Sequence, residues 1–93
     1  MRFEWDPAKG ARNRVKHGIG FETAQLVFDD PHAISALDRV VEGEDRWQTI
    51  GVAEGRLLLV VHTDLTYQDE EITRIISARR ANAYERRRYA EAH

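Results

Sequence analysis

Phe3 and Trp5 alternate with Arg2 and Glu4 at the start of the chain, the period-two pattern of a short strand. Asp6-Pro7 then opens a helix, because Asp accepts bonds from the first free N–H groups and Pro suits the first helical position. Helix formers fill residues 8–17, and Gly18 supplies the left-handed residue that ends the run. Lys16 and His17 fall in its last turn, where the helix dipole favours positive charge. Gly20 separates a second predicted helix over residues 21–28, where Phe21, Ala24, Leu26, Val27 and Phe28 form an approximate one-sided stripe. Asp29-Asp30-Pro31 ends it.

After Pro31 the period changes to two. Strands are predicted over residues 32–38, 46–53, 56–63 and 71–79, with Glu54-Gly55 as a tight turn and residues 64–70 as a polar loop. Asn82-Ala83-Tyr84-Glu85 has capping-box spacing and opens a C-terminal helix that runs to about Glu91. The order is β-α-α-β-β-β-β-α. It predicts a single α+β domain over residues 1–93: an antiparallel β-meander with two N-terminal helices and one C-terminal helix packed on one side.

Composition supports one soluble core: 93 residues, 42% of them hydrophobic and 32% charged. No apolar run approaches the ~20 residues that span a bilayer, so no membrane partner is expected. The first residues lack a basic-then-apolar leader, which predicts a cytoplasmic protein. Without cysteine there is no disulfide, thiolate nucleophile or cysteine-based zinc site. The net charge of −2 hides two basic blocks. Lys9, Arg12, Arg14 and Lys16 precede His17, and Arg79, Arg80, Arg86, Arg87 and Arg88 gather near the C-terminal helix. Such blocks are either solvated helix faces or a local anion site.

Neither a G-x-x-x-x-G-K-[ST] nor a G-x-G-x-x-G loop is present, and no serine sits in a G-x-S-x-G elbow. The histidines His17, His32, His62 and His93 have no paired metal-ligand spacing, so neither metal nor other cofactor is expected. What remains is arginine, lysine, histidine and carboxylate. That set suits RNA cleavage by a ribose 2′-hydroxyl, which needs a base, an acid and cations around the phosphorane-like transition state. Arginine holds phosphate through two parallel bonds and keeps its proton. In a regular last strand Arg74 and Arg79 point to opposite faces, and a bend before the terminal helix would redirect Arg79. Glu44 and Arg46 are either a general base with its cationic partner or a surface ion pair. His17 is either a catalytic group or a charge complementing its helix end. His62 reads as a hydrogen-bonded core or rim residue, and Trp5 and Trp47 as core aromatics. Tyr84 and Tyr89 flank the arginine cluster, where an aromatic can stack on an unpaired base.

The chain resembles the BrnT family over nearly its whole length. Phe3-Glu4-Trp5-Asp6-Pro7-Ala8-Lys9, Asn13, Lys16-His17-Gly18-Ile19 and Phe21-Glu22 look like that family's opening pattern. Phe28-Asp29-Asp30-Pro31, Glu44-Asp45-Arg46-Trp47, Ile50-Gly51 and Leu59-Val60-Val61 fit its middle. Arg74-Ile75-Ile76-Ser77-Ala78-Arg79 and Glu85-Arg86 with Tyr89 fit its end. The resemblance implies a RelE-like fold and a type II toxin that cleaves RNA and arrests translation. It also implies a BrnA-type antitoxin with a DNA-binding module, through which the toxin reaches operator DNA indirectly and forms oligomers. Carried over by residue, the catalytic candidates are His17, Glu44, Arg46, Arg74 and Arg79. The RNA-binding candidates are Lys9, Arg12, Lys16, Arg80, Tyr84 and Arg87. Two other readings compete: a catalytically inactive toxin relative acting as an antitoxin-binding module and co-repressor, and a plain nucleic-acid-binding domain.

Overall fold

Asp6 caps the first helix as its sequence suggests, its carboxylate accepting the Ala8 N–H at 2.9 Å. The computed structural model describes residues 1–92; His93 lies outside the described residues. Strand β1 (Arg2–Glu4) leads into α1 (Pro7–His17) and then α2 (Phe21–Ala24), which tightens at once into a 3-10 turn (Gln25–Asp29). Four strands follow, β2 (Ile34–Val41), β3 (Glu44–Ala53), β4 (Arg56–Tyr67) and β5 (Glu70–Arg80), before α3 (Ala83–Glu91).

The sheet order is β1-β5-β4-β3-β2, and it is mixed. From β2 to β5 neighbouring strands are antiparallel, but β1 lies parallel to β5, with Phe3 opposite Thr73 and Glu4 opposite Arg74. This corrects the expected purely antiparallel meander. Short turns force antiparallel pairing only between consecutive strands, whereas β1 reaches the sheet through a helical connection that permits a parallel partner. The second helix is also shorter than expected. Its N-cap Gly20 offers no side-chain bond, and one turn has little stability of its own, so packing sets its shape. A Cβ on Gly51 would stand 2.8 Å from Val27 Cγ1, so glycine there lets the 3-10 turn lie directly on β3.

Residues 64–70 are not a loop. β4 and β5 run on to Tyr67 and Glu70 and are joined by Gln68-Asp69, both with positive φ (50° and 64°). Glu42-Gly43 and Glu54-Gly55 close the other hairpins in the same left-handed region.

One face of the sheet, here the inner face, carries α1, α2 and the 3-10 turn. Ile19, Phe21, Ala24 and Val27 pack there on Ala53, Leu58, Val60, Ile75 and Ala78, with Phe3, Trp5 and Phe28 at the margin. Asn13 is the clasp between α1 and the sheet. Its amide donates to Ala78 O and Ile19 O (2.8 Å each), and its Oδ1 accepts the Ala78 N–H (3.1 Å). A buried amide thereby satisfies β5 backbone beyond the end of the short β1.

Candidate functional site

The outer face owes its chemistry to one extra residue. Val61 pairs with Ser77 and His62 with Ile75, so Ile76 is a bulge in β5. On β4, Leu59, Val61 and Thr63 share a face, and their partners are Arg79, Ser77 and Arg74. Arg74 and Arg79 therefore point to the same side, which overturns the opposite-face expectation for a regular strand. Glu4, opposite Arg74 on β1, joins them, as do Arg46 and Glu44, which alternate on the outer side of β3.

Four of these side chains meet. Arg74 donates from Nε to Glu4 Oε1 at 2.8 Å, and its Nη2 lies 2.8 Å from the same oxygen. Its Nη1 is 3.9 Å from Glu44 Oε2, while Arg46 Nε is 4.0 Å from Glu44 Oε1. Those last two distances are ion-pair contacts too long for hydrogen bonds. Glu44 thus stands between two guanidinium groups without being gripped by either. Beneath them Thr63 is fully buried, and neither its Oγ1 nor the buried Nε of Arg46 has a hydrogen-bond partner.

Arg79 is placed differently. Glu85 accepts from both of its terminal nitrogens, at 2.8 and 2.9 Å, while the Asn82 N–H and side chain complete the capping box of α3. Arg79's hydrogen bonds hold the Glu85 carboxyl below the usual range despite burial, and the same pair raises the Arg79 guanidinium. This fork anchors α3 at one end of the outer face, where Ile50 and Leu59 are buried outside the main core cluster. At the far end of α3 the Tyr89 hydroxyl donates to Asp30 at 2.7 Å, a bond that raises the Tyr89 pKa. Tyr84 and Arg87 are exposed on α3, with Arg88 5.9 Å from the Tyr84 ring, and Arg80 is exposed at the end of β5. Arg80, Tyr84 and Arg87 form no hydrogen bond or ion pair with the cluster of Glu4, Glu44, Arg46 and Arg74.

Lys9, Arg12, Lys16 and His17 come together along α1, in a groove whose other wall is Ile76 and Ser77 at the bulge. The basic helix and the outer face therefore meet at β5, two to three residues from Arg74. His17 belongs to this groove and not to the Glu44 cluster.

His62 is a buried inner-face residue, as expected. Burial lowers its pKa, against the opposing pull of Asp64, so the ring is neutral near pH 7. Asp64 then accepts from Nδ1 (2.9 Å), leaving Nε2 to accept from the Thr49 hydroxyl (2.7 Å), which accepts in turn from Ser35 (2.7 Å). Trp5 packs edge-on against Phe21 in the core margin.

Three outer-face residues escaped the sequence reading: Glu4, Thr63 and Tyr67. Glu4 was visible only as the polar half of an alternation. Thr63 looked like the last residue of a strand, and Tyr67 fell in the supposed loop. The exposed Tyr67 rims a groove with Arg2, Glu4, Leu65, Ile72 and Arg74. Among the described residues no group of three or more His, Asp or Glu is placed to hold a metal ion, and no helix is long and apolar enough to cross a membrane.

Fold and site together define a small α+β protein with a mixed sheet, one helix-covered face and one partly open face bearing paired arginines and carboxylates. The profile of the family described as ribonuclease toxin, BrnT, of type II toxin-antitoxin system matches residues 5–85, and the chain belongs to that family. A comparison with curated proteins finds no match.

Proposed function

We propose that this chain is a metal-independent endoribonuclease toxin whose reaction takes place on the outer face of the sheet. Glu44 carries the reading, because it stands within 4.0 Å of both Arg46 and Arg74 without being hydrogen-bonded to either. Glu44 takes the proton of a ribose 2′-hydroxyl, the 2′ oxygen bonds to the adjacent phosphorus, and the bond to the 5′ oxygen breaks as that oxygen takes a proton from solvent, to which Glu44 then returns its own. The products are a 2′,3′-cyclic phosphate and a 5′-hydroxyl. Arg46 and Arg74 hold the charge that builds on the phosphate. His17 is the alternative base, and Lys9, Arg12 and Lys16 guide the flanking RNA. Arg79 acts through Glu85, by fixing α3. Arg80, Tyr84 and Arg87 extend the RNA surface along that helix.

The rest of the reading follows the family: a RelE-like fold, arrest of translation in the cytoplasm, and neutralisation by a BrnA-type antitoxin that connects the toxin to operator DNA and to oligomers. The antitoxin covers α1 or α3, whose exposed basic residues suit an acidic partner. Purified chain incubated with RNA in EDTA should yield cyclic-phosphate ends, and Glu44→Gln or Arg74→Ala should slow the reaction at least ~100-fold. Intact RNA with the unaltered chain would sink the reading. A second reading is favoured by Glu4, which already occupies two nitrogens of Arg74: an inactive relative that binds the antitoxin as a co-repressor. Tight complex formation without cleavage in the same assay distinguishes it.

A further inference from the structure

β2 forms one edge of the sheet, with β3 on one side and no strand on the other. An edge strand of eight residues presents a row of N–H and C=O groups to any chain that can pair with it. β2 has neither the lysine nor the proline that commonly blunts such an edge. It does carry a bulge. Leu37 stands opposite Trp47 and Arg39 opposite Arg46, so Asp38 is the extra residue. Val40 then falls opposite Asp45, which puts Leu37 and Val40, three positions apart, on the same inner face as Trp47. That end of the inner face is open: Leu37 is 51% exposed and Val40 58%. On the outer side Arg39 stands across from another cation, Arg46, with its side chain 72% exposed and 3.4 Å from its neighbour Asp38. Like charges directly opposite weaken a strand pair, so further negative charge beside Arg39 would be favourable.

We infer that β2 pairs antiparallel with β2 of a second copy of this chain, about a two-fold axis between Asp38 and Arg39. This association needs neither antitoxin nor RNA. Turned end to end against itself, the run Ala36-Leu37-Asp38-Arg39-Val40-Val41 sets Ala36 against Val41, Leu37 against Val40 and Asp38 against Arg39, each pair twice. A regular strand does not allow this register, because residues 37 and 40 would point to opposite faces. The bulge allows it by turning both to the inner side. The exposed Leu37 and Val40 of each copy thereby cover those of the other, and each Arg39 gains Asp38 of the second copy. Shifting the register by one residue sets Asp38 against Asp38 or Arg39 against Arg39, so the charges reject the neighbouring registers. The axis is perpendicular to the sheet, so the pair forms one continuous sheet with both outer faces on the same side.

The test is sedimentation equilibrium of the whole purified chain, alone in solution, so its result does not depend on ribonuclease activity. A concentration-dependent dimer is expected. Asp38→Arg and Arg39→Asp each place like charges across the axis and should weaken self-association at least about tenfold, with circular dichroism confirming that both variants are folded. An equimolar mixture of the two variants restores opposite charges at both crossings and should recover the dimer, which loss of folding in either variant would prevent. A chain that stays monomeric up to about 1 mM would overturn the interface. So would single variants that dimerise as the unaltered chain does, or a mixture that remains monomeric. If the β2 amides gain hydrogen-exchange protection only when an antitoxin is added, and not with rising concentration of the chain alone, the edge belongs to that partner and the dimer falls.

Discussion

Glu85 decides how much of Arg79's charge faces solvent. Its side chain is 8% exposed against 39% for Arg79, so the carboxylate is the buried partner and the guanidinium its half-open cover. Glu85→Gln keeps the shape but loses the ion pair, which should cost roughly 1–3 kcal/mol after allowing for Arg79's exposure. Thermal melting measures it, and the effect should shrink as pH falls. The sign follows from the lowered Glu85 pKa: its contribution is present above the ordinary value of 4.5 and is lost as pH falls through the folded-state value. His62 acts in a higher window. Its folded pKa lies below 6.5, so unfolding takes up protons there, and its contribution, complete above 6.5, declines as pH drops through the folded value. Each unit of depression corresponds to ~1.4 kcal/mol. Between pH 7.5 and 5.5 the melting temperature should therefore fall more in the unaltered chain than in His62→Gln; parallel curves would contradict the assignment. At this scale the sequence exposed the capping box and the buried histidine. It did not expose the Arg79–Glu85 fork, because nothing local tells an arginine waiting for phosphate from one already paired.

Among the elements, β5 and α1 set the site's geometry together. The bulge at Ile76 brings Arg74, Ser77 and Arg79 to one face, and Asn13 docks α1 beside it through Ala78. Asn13→Ala would strand Ala78 N–H, Ala78 O and Ile19 O in a buried seam. About 3 kcal/mol of destabilisation is expected from such unsatisfied groups, a large part of the ~5–15 kcal/mol that holds a domain together. Denaturant unfolding would read it directly, and a loss under 1 kcal/mol would show that water replaces the amide. Periodicity located the paired strands and the long helix, since each buries one face of its own pattern. It missed the bulge because Arg74-Ile75-Ile76-Ser77-Ala78-Arg79 keeps apolar residues on both sides of the slip. It missed the strand extension past Thr63 because Asp64, Thr66 and Gln68 face solvent or a turn, and polar alternation looks like loop. The parallel β1 was illegible for a different reason: its partner lies about 70 residues away, and no local pattern encodes that choice.

The molecule as a whole is slightly acidic, with a net charge of −2, so general attraction for RNA is weak and binding must come from local geometry. Six of the sixteen acids gather at two hairpin ends, in Glu42, Glu44 and Asp45 and again in Asp69, Glu70 and Glu71, while cations line α1, α3 and the middle of the outer face. On the proposed reading, a strand of RNA lying across that face meets Arg46 and Arg74 at its centre and the α1 groove beside Ser77. In the other direction it enters the groove rimmed by Tyr67, whose exposed ring can take a base. Such a path uses few phosphates and at least one stacking contact. For two or three neutralised phosphates on a single strand, the logarithm of affinity should fall with the logarithm of salt at a slope of about −1.4 to −2.1. Tyr67→Ala should weaken binding of a non-cleavable RNA analogue by ~1–3 kcal/mol with that slope unchanged, since stacking releases no counterions. Lys16→Ala should lower the slope instead by ~0.7 while leaving the stacking contact in place. Salt titrations of the two variants separate these contributions. A tyrosine variant that flattened the slope, or a lysine variant that left it intact, would mean that the RNA crosses the sheet in another direction.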